Sequence, residues 1–180
     1  LSFYFISKFE KSLINKLDRN INIIYRNYEK KYKKSEILKI KKICRLQRRK
    51  FYLANDIKLA KNLNLDGVYI PSFNKSPIPI DLKKKSFTIL GSAHNLNEII
   101  QKKKQNVDLF FISPLFKVKK RNYFLGIAKY NVLSSHLNIK SIALGGINNK
   151  NFKKLAMINC YGFASISYIE KYKINGKKYN

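Results

Sequence analysis

Short β-branched and aromatic runs alternate with longer amphipathic stretches along the whole chain. A helix-to-strand junction recurs as "LNLDGVYI", "KQNVDLFFI" and "INCYGFASI". Together these observations predict an α/β chain folded as a compact (β/α)8 TIM barrel, because repeated strand–helix half-units with right-handed crossovers build parallel sheets. At 180 residues the chain fits one domain, 1–180, but lies below the roughly 200 residues usual for this barrel, so some helices must be short or missing. An open doubly wound sheet is the alternative architecture.

The first strand is placed at residues 3–7. The apolar N-terminus has no basic region before it and no small-residue cleavage site after it, so a strand is expected there rather than a signal peptide. A second strand at 21–26 precedes "SEILKIKKICRLQ", where Ile37, Ile40 and Ile43 or Cys44 follow helical spacing. After a third strand at 51–54, "DIKLAKNLNL" repeats that spacing with Ile57, Leu59, Ala60 and Leu63, and leads to a fourth strand at 67–70. Residues 71–86, "PSFNKSPIPIDLKKKS", hold three of the four prolines and leave room for little helix. Four more strands are placed at 87–91, 107–112, 140–144 and 162–166, the last followed by a short helix over 168–173.

Nothing approaches the roughly 18 uninterrupted apolar residues of a membrane-spanning helix. Cys44 and Cys160 lie far apart with no metal-ligand spacing and are expected as reduced thiols, which points to the cytoplasm. The formal net charge is +28. One reading is an electrostatic footprint for nucleic acid. The other is compositional drift, in which Lys accompanies abundant Asn, Ile, Tyr and Phe. Lysine clusters such as "KKYKK", "QKKKQ" and "KVKKRN" recur throughout, which favours solvated helix faces over a dedicated groove.

In a barrel of this kind the working residues gather at the carboxyl ends of the strands, and phosphate often binds after strands seven and eight. Gly145 and Gly146 follow the seventh strand, with Asn148 or Asn149 placed to cap the next helix. Ile166 and Ser167 follow the eighth. Other strand ends carry Arg26, Asn55 with Asp56, Ser92 with His94, and Ser113. Asp56 can equally be a helix cap, and His94 can simply precede the cap formed by Asn95 and Glu98. His136 is read as a surface residue of a helix.

Taken in order, these residues resemble the thiamine phosphate synthase/TenI family, best from Lys50 onward. "FYLANDIKLAKNLNLDGVYI" is similar to the family's strand-Asn-Asp-helix stretch and "ILGSAHNLNEI" to its Ser-x-His segment. "VDLFFISPLF" resembles its strand-six loop, with Gly126 beyond it, and "IALGGI" and "GFASIS" resemble its phosphate-binding ends. The resemblance implies a role in thiamine biosynthesis. Family synthases join hydroxymethylpyrimidine diphosphate to a thiazole phosphate with Mg²⁺, and TenI-type members instead aromatise a thiazole phosphate tautomer. It implies Gly126, Gly145, Gly146, Ile166 and Ser167 as phosphate contacts, and Ser92 and His94 as catalytic. It further implies Arg26, Asn55 and Lys120 as substrate contacts, and Asp56 as a Mg²⁺ ligand.

Several family positions are changed. The arginine after Asn55-Asp56 is Ile57, the lysine two residues beyond Arg26 is Tyr28, and the second Mg²⁺ carboxylate is the amide Asn74. A threonine of the strand-six loop is Val118, with Lys119, Lys120 or Arg121 nearby as cations, and a histidine of some tautomerase-type members is Pro114. Hard cations favour anionic oxygen, so one carboxylate holds Mg²⁺ poorly without a substrate diphosphate. The changes fall on the diphosphate and Mg²⁺ half of the site, which leans toward a TenI-like role. A working synthase is the alternative within the family, and a basic nucleic-acid-binding barrel the alternative outside it.

Overall fold

The computed structural model describes residues 1–29, 31–78, 86–119, 122–136 and 138–172. Eight strands, β1 (Ser2–Ile6), β2 (Ile21–Tyr25), β3 (Phe51–Ala54), β4 (Gly67–Ile70), β5 (Thr88–Ala93), β6 (Leu109–Ile112), β7 (Ser141–Leu144) and β8 (Gly162–Ala164), lie parallel and close in sequence order into a barrel. Closure runs through Ser2 opposite Phe163 and Phe3 opposite Ala164, which rules out the open sheet. The helices are α1 (Lys11–Lys16), α2 (Lys34–Leu46), α3 (Ile57–Asn62), α4 (Leu96–Lys104), α5 (Gly126–His136), α6 (Asn149–Phe152) and α7 (Ser167–Tyr172). A 3₁₀ turn over Lys153–Met157 extends α6. The described residues between β4 and β5 form no helix, as the prolines predict, while residues 79–85 lie outside the described set.

Alternation along the strands sorts side chains into two layers. Phe3, Phe5, Ile24, Tyr52, Tyr69, Leu90, Phe111 and Ile142 fill the barrel interior. Aromatic edges meet there, with Phe3 and Phe111 centroids 5.0 Å apart and Tyr69 and Phe111 5.4 Å apart. Such tilted contacts let large rings fill a narrow barrel without voids. The opposite face of the strands packs beneath the helices, where α2 supplies Ile37, Ile40 and Cys44.

The sequence repeat has a structural cause. Asn64 and Asn106 take left-handed φ values of 46° and 55° just after α3 and α4, where asparagine is tolerated far better than bulky residues. The aspartates that follow then reach sideways: Asp66 accepts the N–H of Phe51 at 2.9 Å, and Asp108 that of Ile89 at 2.7 Å. The third member differs. Its Asn159 donates its N–H to Asn131 Oδ1, and a left-handed asparagine comes instead at Asn138, after α5 and ahead of β7.

Among the described residues, Lys39 and Lys42 do ride on the exposed face of α2, whereas Lys31 and Lys33 precede that helix and Lys117 and Lys119 lie in the loop after β6, and "QKKKQ" departs further from the expectation. Lys102 shares the buried stripe of α4 with Ile99 and is fully enclosed, its neighbours Lys103 and Lys104 remaining exposed. No helix among the described residues is long and apolar enough to cross a membrane.

Candidate functional site

The carboxyl ends of the strands bring the sequence-predicted residues, Lys120 aside, to one end of the barrel. At its floor, Arg26 lays its guanidinium over the Phe5 ring, 4.8 Å from the centroid, and its N–H donates to the Ile6 carbonyl at 2.8 Å. Ser92 is buried on the same strand face as Leu90, beside the hydroxyl of Tyr69. Burial holds the Tyr69 phenol above its ordinary range. A cleft of about 720 Å³ opens beside Arg26, lined by Lys8, Asn27, Tyr28, Lys31 and Lys33 together with Glu29 and Glu36.

His94 stands at the end of β5. Its Nδ1 lies 2.7 Å from the Ser113 carbonyl and 3.0 Å from Ser113 Oγ. A carbonyl oxygen can only accept, so Nδ1 carries the proton and Nε2 of the neutral ring is left as a lone-pair base. The cap reading of this segment holds as well, with a shift of one residue. Asn95 Oδ1 accepts the Glu98 N–H at 2.9 Å, while Glu98 reaches back to the N–H of His94 rather than that of Asn95. His94 thus has its backbone in the cap and its ring on β6.

Gly145 and Gly146 have φ values of +94° and +71°. A Cβ on Gly145 would sit 2.8 Å from Pro114 Cα, and one on Gly146 2.5 Å from the Phe116 carbonyl oxygen. Glycine is therefore required first by the loop after β6, which docks on this turn through Leu115 N–H to the Leu144 carbonyl (2.8 Å) and Phe116 N–H to that of Gly145 (3.1 Å). The Gly146 carbonyl accepts from Asn148 and Asn151 side chains, and Asn148 caps α6. With both carbonyls engaged, N–H is the backbone group this turn has to offer a ligand. Alongside, Ser165 Oγ donates to the Ile147 carbonyl and accepts the Tyr168 N–H, so the cap of α7 is Ser165, ahead of the expected Ile166 and Ser167, which are exposed. Gly126 opens α5 with φ +69° and empty space where a Cβ would go, but its N–H is taken by the Leu115 carbonyl at 2.9 Å. Lys120 lies outside the described residues.

Across the mouth, Asn55 has a left-handed φ of 61°, and its Oδ1 accepts from Asn74 Nδ2 at 2.6 Å. Asn74 Oδ1 accepts the Ser76 N–H at 2.9 Å. Asp56 caps α3, its Oδ1 taking the Leu59 N–H at 2.9 Å. One carboxylate already serving as a cap and a neutral amide already bonded twice do not fit a Mg²⁺ ion held by protein oxygens. Among the described residues, no group of three or more His, Cys, Asp or Glu could hold a metal.

Sequence reasoning missed the inward Tyr69, the contact of Tyr28 with Phe73, and the buried Lys102. Tyr69 was hidden inside a strand, where only its alternation with Val68 signals an inward ring. Tyr28 and Phe73, exposed on separate loops, meet edge to face at 5.4 Å. Lys102 was concealed in a lysine run, although its spacing of three from Ile99 places it on the buried stripe.

The profile of the family described as thiamine monophosphate synthase, TMP-TENI, matches residues 8–169. The chain belongs to this family. A thiamine-phosphate synthase of Pelagibacter ubique is 33% identical over 144 residues, which cover 78% of this chain and 68% of that protein. One of Clostridium novyi is 31% identical over 127 residues, covering 66% of this chain and 61% of its own length. The chain thus spans about three-fifths of that relative. Among solved structures, thiamine phosphate pyrophosphorylase from Pyrococcus furiosus superposes with a TM-score of 0.69 at 19% identity, covering 95% of this chain and 91% of that one. At that identity the likeness speaks for the barrel. The counterpart from Bacteroides thetaiotaomicron gives 0.60 at 16%, covering 100% and 89%. Within the thiamine monophosphate synthase family, this chain joins a β6–β7–β8 turn cluster to a β3–β4 rim whose described residues include one carboxylate, Asp56.

Proposed function

We propose that this member of the family binds a thiazole phosphate, its phosphate at the Gly145-Gly146 turn and the neighbouring Ile166-Ser167 segment, and acts on it in the TenI manner, by proton transfer. The rim of β3 and β4 carries this reading: Asp56 is engaged as a cap, and Asn74 is an amide locked to Asn55 and Ser76. Among its described residues, that rim lacks the pair of carboxylates a diphosphate-bound Mg²⁺ would need. The chemistry then falls to His94. With Nδ1–H directed at the Ser113 carbonyl, Nε2 takes a proton from the thiazole tautomer, and the imidazolium returns one to complete aromatisation. Ser92, buried beside Tyr69, helps shape the wall of the pocket.

The names of the relatives favour a second reading, a working synthase that also takes a pyrimidine diphosphate. Arg26, Lys8, Lys31 and Lys33 around the 720 Å³ cleft would supply the cations for that diphosphate. A calorimetric titration separates the two. Binding of thiazole phosphate alone, unaffected by chelation, supports the TenI reading. Turnover only with pyrimidine diphosphate and Mg²⁺ supports the synthase. Failure to bind either compound, with steeply salt-dependent binding to DNA, would overturn both.

A further inference from the structure

Lys102 is fully buried, and its ammonium makes three hydrogen bonds to neutral oxygens. These are the carbonyls of Pro71 at 2.8 Å and Asn74 at 2.7 Å, in the loop after β4, and Gln105 Oε1 at 2.8 Å. Gln105 works from the same side: its Nε2 donates to the carbonyls of Asn74 at 3.1 Å and Ser76 at 2.6 Å. The loop adds its own turn, Asn74 N–H to the Pro71 carbonyl at 3.1 Å. Room for the lysine stem comes from Gly91 on β5, where a Cβ would meet Lys102 Cδ at 3.2 Å.

Enclosing an ammonium whose hydrogen-bond partners among the described residues are all neutral is costly unless all three of its protons find acceptors. Here all three do, and two of the acceptors belong to the loop, so the charge is tolerated only while the loop stays down. The coupling also runs the other way. If the loop lifts, the buried ammonium loses two acceptors at once, a penalty far above that of an ordinary loop contact. The loop end that is held is the one that delivers Asn74 Nδ2 to Asn55 Oδ1 at the rim of the mouth.

We propose that Lys102 is a positioning residue: its internal ammonium, with Gln105, fixes the loop of residues 71–76 so that Asn74 and Asn55 form the rim of the site without a bound metal. A bound cation on the solvent side would draw the same loop inward through anionic side chains. In this chain the cation is covalent and sits beneath the backbone. The effect on ligand affinity rests on the thiazole phosphate reading, whereas the effect on loop order does not.

Amide hydrogen exchange on the full chain provides the test, with Asn74 and Ser76 as reporters. In the wild type, their protection should be the same with Mg²⁺ and with a chelator. Lys102→Met should speed their exchange at least tenfold while amides of β1 to β8 keep theirs, and Lys102→Arg, which retains the donors, should restore part of the protection. If Lys102→Met does not fold, Gln105→Ala, which cuts the loop contacts from the other partner, is read by the same criterion. Unchanged loop exchange in the variant, equal loss throughout the barrel, or collapse of wild-type protection on chelation would each overturn the proposal. Thiazole phosphate should bind Lys102→Met at least tenfold more weakly than wild type. A wild type that does not bind it sinks the functional reading and leaves the exchange result to decide the role of Lys102.

Discussion

On the β6, β7 and β8 side of the mouth the candidate site is made of backbone, and on the β2, β3 and β4 side it is made of side chains. The first needs two glycines with φ +94° and +71° under a docked loop, a requirement that lysine enrichment elsewhere leaves alone. The second needs a particular charge at each of several positions. Tyr28 stands two residues beyond Arg26 and an amide, Asn74, on the rim, where neither side chain carries a charge. Backbone geometry is tied to packing and is costly to lose, whereas a solvent-facing carboxylate can be replaced with little effect on the fold.

That contrast is most exposed at Gly146. Gly146→Val combines an unfavourable φ with a Cβ 2.5 Å from the Phe116 carbonyl oxygen. It should cost about 3 kcal/mol or more in urea unfolding and abolish thiazole phosphate binding. Gly126→Ala, with a similar φ but open space around it, should cost about 1 kcal/mol. Equal effects at the two sites would mean that loop docking does not set the β7 turn. Next in size, His94→Ala should lower turnover of a thiazole tautomer by about 10² to 10⁴-fold, with the circular dichroism spectrum unchanged. A loss below tenfold would move the proton transfer to another group.

A smaller effect comes from the buried amine. Burial lowers the Lys102 pKa from its ordinary 10.5 to about 8, Glu98 opposing the shift from one turn earlier on α4. Between those values the unfolded chain holds a proton that the folded chain has released. Raising the pH from about 8 to 10.5 should therefore stabilise wild type relative to Lys102→Met, by up to about 1.4 kcal/mol per pH unit. Parallel stability curves for the two proteins would show that Lys102 titrates normally. The smallest effect is expected for Asn74→Asp, which removes the donor to Asn55 and places a carboxylate on the rim. It should lose about 1 kcal/mol and regain it in millimolar Mg²⁺. A Mg²⁺ response already present in wild type would mean that the side-chain half of the mouth is more capable than its residues suggest.

The barrel was legible in the sequence because its signals are local. All eight strands fall within two residues of the positions expected from apolar runs and turn residues. The ends that moved did so for reasons a one-dimensional pattern does not carry. Residues 107 and 108 lead into β6 rather than opening it, because the Val107 N–H turns back to the Lys102 carbonyl and the Asp108 carboxylate, beside its own N–H, takes the N–H of Ile89, and β8 stops at Ala164 as the Ser165 hydroxyl turns to Ile147. At the site, sequence brought out His94 and the two glycines but left two readings for each. Structure fixed the packing side of each: the loop after β6 requires the glycine pair, and His94 is a cap neighbour whose ring nitrogen bonds Ser113.

What the sequence determined by itself was the order of strands and helices and the identity of the residues at the strand ends, since both follow from periodicity and from where each apolar run stops. Only the tertiary structure decided which nitrogen of His94 is free, what occupies the space beside Gly145 and Gly146, and that one lysine of "QKKKQ" faces inward. Each of these depends on atoms brought together from distant parts of the chain: Ser113 on His94, Phe116 on Gly146, and the loop after β4 on Lys102. Barrel closure creates those neighbours, and no local pattern encodes them.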